Sequence, residues 1–102
     1  MGLDFMSILD DGSVGPHHHV SLSMQGHYDV ICAAERDGGC SQVMRFRDYW
    51  GEEVRFSSDE APELLNELRR LVSTTSHPEL HELVALCGAA VEARMGILAV
   101  PE

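Results

Sequence analysis

The sequence contains no lysine: its seven basic side chains are all arginine, against seventeen acidic residues in a chain of 102. The formal net charge of −10 repels phosphate backbones and anionic lipid, so we expect neither a nucleic acid nor a membrane as a partner. A basic protein surface is the kind of partner that this charge attracts. Exclusive use of arginine is also typical of GC-rich bacterial genomes, which suggests a bacterial source.

Long apolar segments are missing as well. No run of about 18 apolar residues occurs, and the first residues contain neither a basic segment nor the apolar stretch of a signal peptide. The cysteines Cys32, Cys40 and Cys87 are odd in number, at spacings that match no zinc or redox motif. We therefore predict a cytoplasmic protein with reduced thiols rather than a disulfide-linked secreted one.

The composition present is that of a folded protein. Hydrophobic residues make up 44% of the chain and charged residues 24%, which is typical of globular domains. A chain of this length can bury one core, and it shows no internal repeat or linker. We predict a single domain over residues 1–102.

Alternation of apolar and polar residues predicts strands in the first half of the chain, at 19–24, 28–35, 41–47 and 53–57. Facing residues of adjacent antiparallel strands must share a face of the sheet, and this condition favours three-residue loops at 25–27, 37–39 and 49–51. The prediction is a four-stranded meander with one apolar face. Residues 3–9 and 97–100 are further candidate strands, the latter at the edge of the sheet.

After Ser58 the apolar period changes from two to 3.6 residues, which predicts two consecutive helices. The stripe of the first is Leu64, Leu65, Leu68, Leu71 and Val72, and that of the second is Leu80, Leu83, Val84, Cys87 and Val91. The predicted fold class is therefore α+β: an antiparallel β-meander of four to six strands with two C-terminal helices packed on one face.

Signatures of chemistry are weak. His17 and His19 are candidate metal ligands, because imidazole is the commonest ligand, but a site would need further ligands from elsewhere. The segment that begins at His81 resembles a zinc-protease helix but has Ala85 in place of the second histidine, and His77 suits a helix cap. We predict no catalytic residue and no cofactor, and we expect Cys40 to be the most exposed thiol.

The strongest charge bias lies between residues 52 and 67, where six acids accompany one base, Arg55. We call these acids the acidic shoulder: Glu52, Glu53, Asp59, Glu60, Glu63 and Glu67. Tyr49 and Trp50 lie at the tip of the predicted hairpin beside it, where an exposed aromatic side chain can anchor an interface, although Trp50 can equally fold back into the core. An acidic surface beside an aromatic tip suits fast docking on a basic protein.

In size, acidity, expected intracellular location and lack of a catalytic signature, the chain resembles the immunity proteins that bacteria pair with nuclease or other toxins. The resemblance implies a non-catalytic domain that neutralises a basic toxin, and it identifies no particular toxin.

The alternative function is that of a small enzyme or ligand-binding domain. In the predicted register Arg45, Arg47 and Arg55 share the open face of the sheet and could hold an anion, while His17, His19 or Glu35 transfers protons. A third possibility is a homodimer formed through a sheet edge or the open face.

Overall fold

The computed structural model describes residues 2–47 and 52–101, in which four strands form one antiparallel sheet. The strands are β1 (Gly2–Ile8), β2 (Val20–Ser23), β3 (Val54–Phe56) and β4 (Gly96–Pro101), in the spatial order β2-β1-β4-β3. The helices are α1 (Met24–Asp37), α2 (Ala61–Val72) and α3 (Pro78–Glu92), and a short 3₁₀ helix covers Val43–Phe46. The α+β class, with an antiparallel sheet and two helices in the C-terminal half, is confirmed.

The two central strands come from opposite ends of this sequence. Leu3 of β1 lies opposite Leu22 of β2 on one side and Pro101 of β4 on the other. Residues 97–100 were expected at the edge of the sheet, and that placement is wrong, because β4 pairs with both β1 and β3. Gly96–Ala99 are all buried, as is typical of a central strand.

The core lies on the face of the sheet that the helices cover. Leu3 and Phe5 of β1 join the apolar side chains of the helices there. Phe46, from the 3₁₀ helix, packs edge to face against Phe5 at 5.1 Å and against Phe56 at 6.3 Å between ring centres. The 3₁₀ helix thus supplies the central aromatic ring of the core.

Residues 28–35 were predicted to form a strand and instead form most of α1. The hydroxyl of Ser23 accepts a hydrogen bond from the backbone N–H of Gly26 at 3.0 Å and caps the start of the helix. Gly38, with φ of 76°, ends it in the left-handed conformation. The predicted hairpin loops at 25–27 and 37–39 are therefore the two ends of a helix, and the predicted meander connectivity is wrong.

The predicted strand at 41–47 is also wrong, since its centre forms the 3₁₀ helix. The predicted loop at 49–51 lies outside the described residues. The other expected elements are present: the strands near 3–9, 19–24, 53–57 and 97–100, and both C-terminal helices. No helix within residues 2–47 and 52–101 is long and apolar enough to cross a membrane.

Candidate binding surfaces

Four members of the acidic shoulder are exposed, two before β3 and two after it. Glu52 and Glu53 precede β3, Asp59 lies between β3 and α2, and Glu63 lies in the first turn of α2, and all four are exposed. Within the described part of the chain none of the four takes part in an ion pair. Their charges are therefore available to a partner.

The fifth member, Glu60, is partly used within the fold. One carboxylate oxygen accepts a hydrogen bond from the backbone N–H of Ser57 at 2.9 Å, and the other pairs with Arg45 at 3.0 Å. The hydrogen bond from Ser57 and the nearby Arg45 charge lower the pKa of Glu60. Glu60 thus stays ionised and contributes less free charge than its neighbours.

The sixth member, Glu67, is buried and does not belong to the exposed surface. Its carboxylate accepts hydrogen bonds from the backbone N–H groups of Gln42, at 3.0 and 3.2 Å, and Val43, at 2.9 Å. These bonds satisfy the first donors of the 3₁₀ helix. Glu67 lies three residues after Leu64 and four before Leu71, so it shares the apolar side of α2 with them. This spacing is the signal in the sequence that Glu67 is buried.

Arg45 does not share a sheet face with Arg55 as predicted, because it lies in the 3₁₀ helix. Its guanidinium donates to the side-chain oxygen of Gln42 at 3.0 Å and to the backbone carbonyl of Arg55 at 2.7 Å. It also lies 4.4 Å from the centre of the Phe56 ring, in addition to pairing with Glu60. Arg45 therefore joins the 3₁₀ helix, β3 and the start of α2.

The other two arginines of the predicted anion site lie on different parts of the chain. The Arg55 guanidinium lies beside Gly12, in the loop after β1, and Arg47 is exposed just after the 3₁₀ helix. The shared sheet face on which the predicted anion site depended is absent, because only Arg55 of the three arginines lies in a strand. Tyr49 and Trp50 lie outside the described residues, and their role as an aromatic tip stays a prediction.

The histidines of residues 17–19 border a groove on the other side of the molecule. The groove has a volume of about 440 Å³ and runs between the segment that leads into β2 and the surface of α3. Its lining residues are His17, His18, His19, Val20, Glu82, Ala85, Leu86 and Ala89. We call it the histidine groove. The sequence pointed to these histidines but not to α3 as the opposite wall.

His17 is held by a contact with the core. Its Nδ1 lies 2.9 Å from the hydroxyl oxygen of Ser7, which is fully buried on β1. Among the described residues no three side chains of the histidine, cysteine or acidic types are grouped so that they could hold a metal ion. His77, as expected, caps a helix: its Nδ1 accepts a hydrogen bond from the backbone N–H of Glu79 at the start of α3.

The exposure of the thiols differs from what the sequence predicted. Cys40, expected to be the most exposed, is buried, and burial together with Asp37 raises its pKa to about 11. Burial likewise raises the pKa of Cys87 to about 12. Cys32, half-buried on α1, is the most accessible of the three. Neither buried thiol is activated as a nucleophile, because both are held in the protonated form.

Comparison of the chain with protein-family models, with characterised proteins and with solved structures finds no match.

Proposed function

We propose that this domain is a non-catalytic binding protein that docks on a basic protein partner, as an intracellular immunity-type inhibitor does with a basic bacterial toxin. The observation that carries the proposal is the group of four exposed carboxylates, Glu52, Glu53, Asp59 and Glu63, that lack an ion pair within the described residues. They lie on a molecule with a net charge of −10.

The electrostatic setting supports this surface as the docking site. Neighbouring carboxylates without counter-charges repel one another, and a partner that brings arginine or lysine side chains relieves that repulsion. Such a field also accelerates the encounter of the two proteins, in a way that salt weakens. The proposed site is therefore defined by charge, with Tyr49 and Trp50 as its expected aromatic anchors.

The surface also has a rigid support. Glu67 and Arg45 fasten the 3₁₀ helix to α2 and β3 through the hydrogen bonds described above. The chain on both sides of residues 48–51 is thereby fixed: the 3₁₀ helix ends at Phe46 and β3 begins at Val54. The backbone of these elements is therefore ordered before a partner binds, and the ordering cost on binding falls on the exposed side chains.

The test is affinity capture from the native host with the wild-type domain and with a variant that carries E52Q, E53Q, D59N and E63Q. We expect one basic protein to be recovered stoichiometrically with the wild type, at a yield that falls as salt rises. The variant should recover little of it, because each exposed charge pair contributes up to about 1 kcal/mol and the four act together.

The matched control removes four charges from α1 and α3, in a variant with D29N, E35Q, E82Q and E92Q, of which Asp29 is half-buried and the others are exposed. It changes the net charge by the same amount and should retain the partner. Recovery of no stoichiometric partner by the wild type, or equal loss of the partner from both variants, would refute the proposed docking surface.

A further inference from the structure

The contact between Ser7 and His17 determines which hydrogen-bonding group His17 offers to the histidine groove. The Ser7 hydroxyl is fully buried, so its hydrogen needs an acceptor. We assign Nδ1 of His17, which lies 2.9 Å from the Ser7 hydroxyl oxygen, as that acceptor. A neutral imidazole that accepts at Nδ1 carries its hydrogen on Nε2. In this assignment His17 presents an Nε2–H donor on the side of the ring away from Ser7.

We propose that the histidine groove binds a small zwitterion with an apolar side chain, an apolar amino acid or a short apolar peptide. Nε2–H of His17 would hold the ligand's carboxylate, Glu82 would hold its ammonium group, and the apolar residues of the lining would contact its side chain. This inference is independent of the proposed function and concerns a different surface.

The lining of the groove matches each part of such a ligand. Hydrogen bonds from imidazole N–H groups to a carboxylate are charge-assisted and are stronger than those between neutral groups. The apolar residues of the lining are Val20, Ala85, Leu86 and Ala89, and they offer contact to an apolar side chain. A volume of about 440 Å³ lies within the range of small-molecule sites.

Glu82 makes the zwitterion a better match than a simple acid. It lines the same groove and is exposed, and within the described residues it forms no ion pair. A ligand with only a carboxylate would face the repulsion of this side chain, whereas an ammonium group would be attracted by it. The two kinds of polar group in the lining therefore select opposite charges on one ligand.

The groove and the acidic shoulder lie at opposite edges of the sheet. Val20 begins β2, which forms one edge, while the shoulder adjoins β3, which forms the other. A ligand in the groove therefore does not need the carboxylates that the proposed protein partner uses. Each of the two proposals can fail without the other.

The experiment is a ¹H–¹⁵N NMR titration of the full chain with four probes: leucine, leucyl-leucine, leucyl-leucinamide and N-acetyl-leucyl-leucine. We expect leucine, leucyl-leucine or both to shift the amide signals of Val20, Leu86 and Ala89, and the comparison of the two gives the preferred ligand length. Removal of either terminal charge should weaken binding about tenfold, because each charged hydrogen bond is lost.

Variants separate the roles of the lining residues. His17→Ala should remove the preference for leucyl-leucine over its amide, and Glu82→Gln should remove the preference over the acetylated peptide. His81→Ala is the matched control, because His81 is an exposed histidine of α3 outside the groove lining and should leave binding unchanged. If His17→Ala perturbs the fold, Glu82→Gln at an exposed position still tests the proposal.

Three results would overturn the proposal: no shift with either leucine or leucyl-leucine, shifts located outside the groove, or equal affinity for the dipeptide and its amide. The variant with E52Q, E53Q, D59N and E63Q should bind the probes as the wild type does, so this titration reports on the groove alone.

Discussion

Removal of the Glu67 carboxylate should destabilise the domain more than removal of any exposed acid of the shoulder. In Glu67→Ala the backbone N–H groups of Gln42 and Val43 lose their acceptor, and the Val43 bond is buried. A buried donor left without a partner costs about 1–3 kcal/mol, and Gln42, being only partly buried, recovers some of its loss from water. We expect a total loss of about 2–4 kcal/mol in the free energy of unfolding.

Glu67→Gln should cost less, about 1 kcal/mol, because the two shortest bonds both end on one oxygen and an amide oxygen can accept them without the charge. Urea unfolding followed by circular dichroism gives the free energies. For a domain of this size, the loss in Glu67→Ala corresponds to a fall in Tm of about 10–20 °C.

Glu63→Ala is the control, since this neighbouring acid of α2 is exposed and has only a 3.4 Å contact with the Gln42 side chain. It should change the free energy of unfolding by less than about 0.5 kcal/mol. If Glu67→Ala and Glu63→Ala are equally stable, the proposed support of the 3₁₀ helix by Glu67 is refuted.

Three further expectations concern stability, thiol reactivity and pH. Arg45→Ala should lose about 1–2 kcal/mol in urea unfolding, since it removes a partly exposed ion pair, a bond to a backbone carbonyl and an aromatic contact, whereas Arg47→Ala should have little effect. Iodoacetamide should modify Cys32 before the two buried thiols, as peptide mass spectrometry can show, and faster modification of either buried thiol would contradict their raised pKa values. The hydrogen bond from Arg70, and then that from the backbone of Gly39, lower the pKa of Asp37. The stabilisation from Asp37 is complete above the ordinary carboxyl pKa, and it is lost as pH falls through the lowered pKa of Asp37. Arg70→Ala should raise the pKa of Asp37, which a ¹³C NMR titration measures.

The second half of the chain was predictable because its apolar residues have one period. Leu64, Leu68 and Leu71 recur at helical spacing, and no other regular structure buries that set together.

The segment 28–35 was not predictable in this way. Its apolar residues alternate at positions 28, 30, 32 and 34, as in a strand. Val30, Ile31 and Ala34 also satisfy a helical period, and these three are buried together with Ala33. The caps at Ser23 and Gly38 are the local signals that favour the helix.

The 3₁₀ helix and the split of the acidic shoulder depend on contacts between distant parts of the chain. Glu67 binds backbone groups 24 and 25 residues away, and Arg45 reaches the carbonyl of Arg55 across the 48–51 segment. A local pattern shows the charge of these side chains but not the groups they contact. Of the six acids, Glu52, Glu53, Asp59 and Glu63 are exposed, and their role in binding stays a prediction. The sequence did not show that Glu60 and Glu67 make contacts within the fold.

The strand order has a consequence for how the protein is made. β1 has its longest pairing with β4, over six residue pairs from Leu3 and Pro101 to Ile8 and Gly96, so the centre of the sheet joins segments about ninety residues apart. During synthesis on the ribosome, β1 emerges with only the short β2 as a partner and must wait for Gly96–Pro101 before its other edge is covered. Folding of the sheet is therefore completed late, and translation that stops before residue 96 leaves β1 and β3 with no strand between them.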